Sequence, residues 1–435
     1  MVNEVKVLTG ATLADPVAGI FQPFDIKIRG ERIEGIYPPG SLGRAAADQR
    51  LSLEGCILAP GLTDLHVHLR APGGEANETV ASGLMAAAAG GFTTVCAMPN
   101  SGQVADKPEV LSYLRERAAA SGLARLLPIA AVTKGLAGKE LTDMAALKDA
   151  GAAAFSDDGM PIWDSGIMEA ALYRAKALGL PVIDHCEDPG LKRDGLIHGG
   201  VISREMDLPG ISAVSEAVPI ARNILLAQKT GGRAHIAHLS TAEGVALLRF
   251  AQREGIAVTA EAMPHHLRLT DEVLRGGNTM GKVSPPLRDE SHRQAVATAV
   301  KSGLITCIAT DHAPWSADAK ARPFAQAPNG ISGLETALAV VWDTLVLREK
   351  MPILDLLARF ILGPAAVLGR PPATIAPGAV ADLVAIDPGK VKKVDPNAFY
   401  SLGKNTPFAG LTLRGWPVLT LYRGRITMRE GQVYA

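Results

Sequence analysis

Residues 60–70, PGLTDLHVHLR, place His66 and His68 two positions apart at the end of an apolar run. Side chains two apart on a β-strand point to the same face. Two imidazoles on one face can grip one divalent ion, because neutral imidazole is a good donor for Zn²⁺ and similar metals. An isolated pair also arises by accident, so the other apolar runs decide. Asp157 and Asp158 follow AAAFS, His185 follows LPVID, His238 follows RAHIA, and Asp311 follows LITCIAT. With only one of the adjacent Asp157 and Asp158 able to face the barrel axis, four histidines and two carboxylates exceed the needs of one tetrahedral catalytic ion. They suit two ions that share a bridging carboxylate and a bridging hydroxide. His235 lies three residues before His238, so alternation turns it to the other face, as it does Cys186 beside His185. His265, His266 and His312 read as packing or supporting residues, and His198 and His292 as loop and helix-surface residues.

These residues need elements to hold them. From Gly61 onward, short apolar runs alternate with Ala-rich helical stretches. The runs are LTDLHVH, TTVCAMP, RLLPIAAVT, AAAFSDD, LPVIDHC, RAHIAHLS, IAVTAEAMP and LITCIATDH; helices are expected at 75–89, 107–120, 212–229 and 289–301. Eight such strands over roughly 300 residues predict an α/β fold, a (β/α)₈ barrel of the TIM type. Its catalytic residues belong at the C-terminal strand ends, where these ligands fall. An open doubly wound sheet fits less well, since no Gly-rich phosphate turn follows the first of these strands. Before residue 60 and after residue 370 the texture is β, with a hairpin turn expected at Arg29, Gly30 and Glu31. Residues 1–59 and 370–435 are expected to form one small composite β-sandwich, because neither end alone offers enough strands. Residues 60–369 are expected to form the barrel.

Composition removes several classes of function. Lys+Arg and Asp+Glu are equal at 44 each, which gives no electrostatic case for nucleic acid or an anionic membrane. The N-terminal MVNEVKVLTG mixes charges and lacks the apolar core of a signal peptide. Cys56, Cys96, Cys186 and Cys307 contain no CxxC pair, which favours reduced thiols over a disulfide framework. A soluble cytoplasmic protein is expected.

The motifs HVHLRAPGG, VCAMPN, AAAFSDDG, IDHCED, IAHLST, PHHL, PPLR and ATDHAP, in this order, resemble the free-standing type of dihydroorotase in the amidohydrolase superfamily. The resemblance runs from about residue 60 to residue 336 and more loosely through the β-rich ends. It implies a reversible zinc-dependent ring closure of N-carbamoyl-L-aspartate to L-dihydroorotate in pyrimidine biosynthesis. Carried over by position, His66, His68 and Asp311 hold one zinc, His185 and His238 hold a second, and Asp158 bridges them. Asp311 is also the implied catalytic proton carrier. Many relatives bridge the metals with a carboxylated lysine; no lysine ends the AAAFSDDG strand, which argues against the hydantoinase and dihydropyrimidinase branch. Arg70 and Asn100 match the family's carboxylate clamp, and Ser284, Trp315, Asn329 and Gly330 complete the expected substrate-binding set. A homodimer and a complex with aspartate transcarbamoylase are the associations this resemblance suggests.

Three positions depart from the family pattern. Ser284 stands where Asn is usual, Trp315 where His is usual, and Ala71 where Glu is usual. Indole donates one hydrogen bond and accepts none, so it does not simply replace imidazole. Two other readings compete: a cyclic amidase for another ureide of the hydantoin or dihydropyrimidine type, and a non-catalytic scaffold for aspartate transcarbamoylase. Arg70 and Asn100 favour the dihydroorotase, Ser284 and Trp315 the other ureide. A scaffold is expected to lose ligands, and here all six positions are filled. The segment PWSADAKARPFAQAPNG is long enough for a mobile lid.

Overall fold

A computed structural model describes residues 4–43 and 46–435. Met1, Val2 and Asn3 of the charge-mixed N-terminal stretch lie outside the described residues. The N-terminal strands are β1 (Val5–Asp15), β2 (Ile20–Arg29), β3 (Arg32–Tyr37), β4 (Gln49–Ser52) and β5 (Ile57–Pro60). The turn between β2 and β3 falls where the sequence places it, with Gly30 at φ 55°. Next come β6 (Leu62–Val67), β7 (Phe92–Ala97), β8 (Arg125–Ala130), β9 (Ala154–Ser156) and β10 (Val182–Asp184). A short parallel pair, β11 (Ile197–His198) and β12 (Gly210–Ile211), precedes β13 (Ala234–Ile236), β14 (Val258–Ala262) and β15 (Cys307–Ile308). The chain finishes with β16 (Leu383–Lys393), β17 (Thr412–Tyr422), β18 (Arg425–Arg429) and β19 (Gln432–Val433).

Eight of these strands form one parallel sheet, in the order β15-β14-β13-β10-β9-β8-β7-β6. His68 N donates to His312 O at 2.8 Å, and a parallel bridge joins Val67 to His312, so the sheet closes into a barrel. All eight barrel strands therefore match the apolar runs. Between them lie helices including α1 (Val80–Ala89), α2 (Pro108–Ser121), α3 (Met144–Asp149), α4 (Ser165–Leu178), α5 (Pro189–Lys192), α6 (Val201–Glu205) and α7 (Val214–Thr230). Then follow α8 (Ala242–Arg253), α9 (Pro264–Arg268), α10 (Glu290–Ser302), α11 (Ala317–Lys320), α12 (Ala337–Val341) and α13 (Ile353–Leu368). The first barrel helix begins at Val80, five residues later than the pattern suggests. Thr79 supplies the reason, because its hydroxyl accepts from Ser82 N at 3.0 Å and starts the helix there.

The two chain ends build one nine-stranded sheet in which β5 joins β1 on one side and β16 on the other. It folds back on itself: Arg423, in the β17–β18 turn, places Nη2 2.6 Å from Glu31 Oε2 beside β3. Leu8, Leu13, Ile26 and Ile28 from one end share a core with Leu383, Ala385, Leu419 and Leu421 from the other. All four cysteines are free thiols, three of them buried. Among the described residues no helix is long and apolar enough to cross a membrane.

Candidate metal centre and substrate pocket

The six expected ligands meet at one mouth of the barrel. His66 lies in β6 and His68 follows it; the others follow β9, β10, β13 and β15 within three residues. Strand alternation alone does not produce the histidine pair. The register slips between Asp64–Val95 and Val67–Ala97, so Leu65 and His66 together oppose Cys96 in a bulge that re-aims the imidazole. His238 and Asp311 have φ of 36° and 48°, so the backbone leaves strand geometry to bring them inward.

Asp158 sits between two histidine pairs. Its Oδ2 is 3.3 Å from His66 Nε2 and 3.5 Å from His68 Nε2. Its Oδ1 is 3.4 Å from His238 Nε2 and 3.8 Å from His185 Nδ1. Asp311 Oδ1 joins the first pair, 2.9 Å from His68 Nε2 and 3.6 Å from His66 Nε2. Two ligands each about 2.1 Å from one ion at a tetrahedral angle stand about 3.4 Å apart, so these spacings fit shared ions. His66 Nε2 and Asp158 Oδ1 are buried polar atoms with no hydrogen-bond partner, as atoms reserved for a metal would be. Burial opposes ionisation of Asp158 and Asp311, but the facing imidazoles outweigh it and hold both carboxyls below the usual range. Such carboxylates remain ionised as ligands.

Asp157 does something else. Its Oδ1 accepts from Val132 N and Thr133 N at 2.8 and 2.9 Å, and Thr133 Oγ1 bonds its Oδ2. It staples the loop after β8, as expected of the aspartate that faces away from the axis.

A second layer orients the rings. Glu261 Oε1 lies 2.7 Å from His66 Nδ1, and Asn100 Oδ1 lies 2.7 Å from His68 Nδ1. Glu187 Oε2 is 3.4 Å from His185 Nε2. Metal-binding histidines characteristically donate their other N–H in this way. His235 corrects the alternation argument: its Nε2 is 3.3 Å from Glu261 Oε2, so it faces into the barrel beneath the ligands. The strand ends at Ile236, and the positive φ of His238 breaks the alternation between the two histidines. His312 supports the site as expected, its Nε2 3.3 Å from Glu78 Oε2 and its Nδ1 accepting from Gly333 N at 3.1 Å. His265 and His266 are buried in α9, and His266 Nε2 donates to Pro285 O.

His198 and His292 are not surface residues; both are buried, beside Asp289. His198 Nδ1 accepts from Arg288 Nη1 at 3.5 Å and His292 Nδ1 from Ala242 N at 3.0 Å. With Nδ1 occupied, a neutral ring carries its proton on Nε2, so this trio is a hydrogen-bonded knot rather than a set of metal donors.

A pocket of about 280 Å³ opens over the ligands, near the lower end of small-molecule sites. Arg70, Asn100, Ser284, Trp315, Asn329 and Gly330 all line it. Two residues there escaped the sequence reading. Lys192 Nζ lies 2.5 Å from Glu187 Oε2 and 3.4 Å from Ser284 Oγ. Glu187, two residues after His185, carried a usable signal; Lys192, in a short helix, carried none. A larger cleft of about 650 Å³, lined in part by Arg115, Arg125, Arg423 and Arg425, contains none of the ligands.

The supposed lid is tied down. Lys320 is fully buried and its Nζ donates to Pro328 O and Gly330 O at 3.0 and 3.2 Å. Lys282 Nζ donates to Phe324 O and Ala327 O at 2.6 and 2.7 Å. Asn405, from the chain's C-terminal part, donates to Ala313 O and Gly330 O and accepts from Trp315 N.

A closed β/α barrel with imidazole and carboxylate groups clustered at its strand ends, under a polar pocket, has the arrangement of a barrel hydrolase. A family model described as Dihydro-orotase-like matches residues 55–244. The dihydroorotase of Pelotomaculum thermopropionicum is 45% identical over 425 residues, covering 98% of each chain. That of Syntrophus aciditrophicus is 44% identical over 425 residues, covering 98% of this chain and 99% of the relative. The chain belongs to the dihydroorotase family. Among solved structures, an L-hydantoinase (dihydropyrimidinase) from Arthrobacter aurescens shares the fold, with TM-score 0.86, 24% identity and coverage of 100% and 98%. A D-hydantoinase (dihydropyrimidinase) from Thermus sp. superposes with TM-score 0.84 at 25% identity, covering 99% of this chain and 96% of that one.

Proposed function

We propose that this protein is a dihydroorotase that interconverts N-carbamoyl-L-aspartate and L-dihydroorotate in pyrimidine synthesis, using two zinc ions. One observation carries the reading: the pocket that holds the ligand shell also holds Arg70 without a carboxylate partner among the described residues. Burial lowers its pKa from 12.5 to about 10, still leaving it charged at neutral pH. A half-buried guanidinium with no carboxylate partner, facing a pocket, suits a ligand that supplies the anion. Dihydroorotate carries such a carboxylate; hydantoin and dihydrouracil do not.

In this reading His66, His68 and Asp311 would hold one ion and His185 and His238 the other, with Asp158, which lies between the two histidine pairs, available to both. Bound zinc supplies Lewis acidity, which lowers the pKa of water and polarises a carbonyl. Asp311 takes a proton from the attacking water and returns it to the departing ring nitrogen. In the synthetic direction its carboxyl starts protonated. Arg70 clamps the substrate carboxylate by charge-assisted bonds. Asn100 keeps Oδ1 on His68 and can offer Nδ2 to the same carboxylate. Ser284, Trp315, Asn329 and Gly330 shape the remaining wall.

Residues 60–369 act as the catalytic barrel, with 1–59 and 370–435 as the companion domain. Free thiols suit a reducing cytoplasm. Val214, Val218 and Leu225 expose one apolar stripe of α7, which suits a homodimer. Aspartate transcarbamoylase is the partner to test alongside it. The deciding experiment compares turnover of dihydroorotate, hydantoin and dihydrouracil, with metal content measured on the same sample. Two zinc equivalents and a preference for dihydroorotate are expected. Hydrolysis of the neutral rings alone would replace this assignment with an amidase for another ureide, and metal-free inert protein with a scaffold.

A further inference from the structure

We infer that Trp315 is a positioning residue that fixes the Arg70 guanidinium for the substrate carboxylate, an inference that rests on the dihydroorotase assignment. Arg70 Cζ lies 4.6 Å from the centroid of the Trp315 ring. A planar guanidinium over an indole face gains from the ring quadrupole, and tryptophan is the strongest partner for this contact. Arg70 Nε also donates to Pro314 O at 3.3 Å, so two adjacent residues hold the side chain at two points. Nη1 and Nη2 make no hydrogen bond to any described residue, and the pocket lies beside them.

Trp315 is itself held. Its Nε1 donates to Asn329 O at 2.8 Å, and its backbone N donates to Asn405 Oδ1 at 2.9 Å. Gly330 makes room for the indole: a Cβ there would stand 3.1 Å from Trp315 Nε1 and 2.6 Å from Ala313 O, at φ 137°. The indole thus spends its one donor on the loop backbone and its face on Arg70. That division explains how a residue with no acceptor occupies a substrate-binding position. It does not need to bond the substrate, because it works through the arginine.

The test is a double-mutant cycle read as KM and kcat for dihydroorotate, or kcat/KM where saturation is not reached. Trp315→Leu should raise KM by about 3- to 30-fold, the range expected for losing such a contact. Its kcat should stay within about twofold and its metal content should match wild type. Trp315→Phe, which keeps an aromatic face, should recover most of the lost KM. In an Arg70→Met background, Trp315→Leu should add nothing further. An equal KM penalty with and without Arg70, or no penalty in Trp315→Leu, would overturn the inference while leaving the assignment intact. Trp315→Met replaces the leucine variant should that one not fold. A wild type inert towards dihydroorotate overturns assignment and inference together.

Discussion

Glu261 Oε1 lies 2.7 Å from Nδ1 of His66, and both side chains are fully buried. Burial pushes the Glu261 carboxyl up, but bonds from His235 and His66 outweigh it and bring its pKa down to about 2. The ionised glutamate holds a proton on His66 Nδ1, so Nε2, which faces Asp158, is the nitrogen left to bind a metal. Glu261→Gln should therefore weaken metal affinity by about 10- to 100-fold. Titration against a competing chelator measures this, and wild-type affinity in the variant would refute the orienting role.

The two adjacent aspartates should separate cleanly. Asp158→Ala should lose metal and turnover together, since both histidine pairs face this carboxylate. Asp157→Ala should keep its metal but lose stability, roughly 1–3 kcal/mol, as buried loop N–H groups lose their acceptor. Metal analysis and denaturant melts on the two variants check this. The opposite pattern would exchange the roles.

Asp311→Asn keeps the size of the side chain but removes the proton carrier. Turnover should fall roughly 10²–10⁴-fold, the usual contribution of general acid–base help. Near-normal kcat with metal retained would refute the proton transfer assigned to it.

Glu335 gives a pH signature away from the metal ligands. Its Oε1 accepts from Tyr400 N and Ser401 N at 2.8 and 3.0 Å. Burial nonetheless raises its pKa from 4.5 to about 7. The folded state then holds a proton that the unfolded state releases between those values, so stability falls as pH rises through this window. The contribution is full below 4.5 and gone above about 7. Glu335→Gln should remove this slope, which is at most about 1.4 kcal/mol per pH unit. Denaturant melts from pH 4.5 to 7 test it; parallel wild-type and variant curves would rule it out.

Much of the site is legible in the chain order because barrel strands are local. Each candidate ligand lies at or just after the end of an apolar run, and a (β/α)₈ barrel sends every such strand end to the same mouth. Local chemistry also separates Asp158 from Asp157, since neighbouring side chains on a strand face opposite ways. The family resemblance then chose between them.

What local pattern could not supply depends on contacts between residues far apart in sequence. His235 faces inward against the strand pattern because alternation ends with β13, and the backbone turn at His238 brings both rings to the barrel interior. His198 and His292 are buried by Arg288 and the start of α8, which no single helix pattern records. The loop carrying Trp315 looked free because its proline and alanine content says nothing of Lys282 or Asn405. Residue types and strand order are thus enough to pick out the six residues that meet at the barrel mouth, since covalent sequence sets which side chains end each strand. Tertiary structure alone decides how Trp315 meets Arg70 and how Glu261 meets His66, because close packing, not sequence spacing, sets those distances.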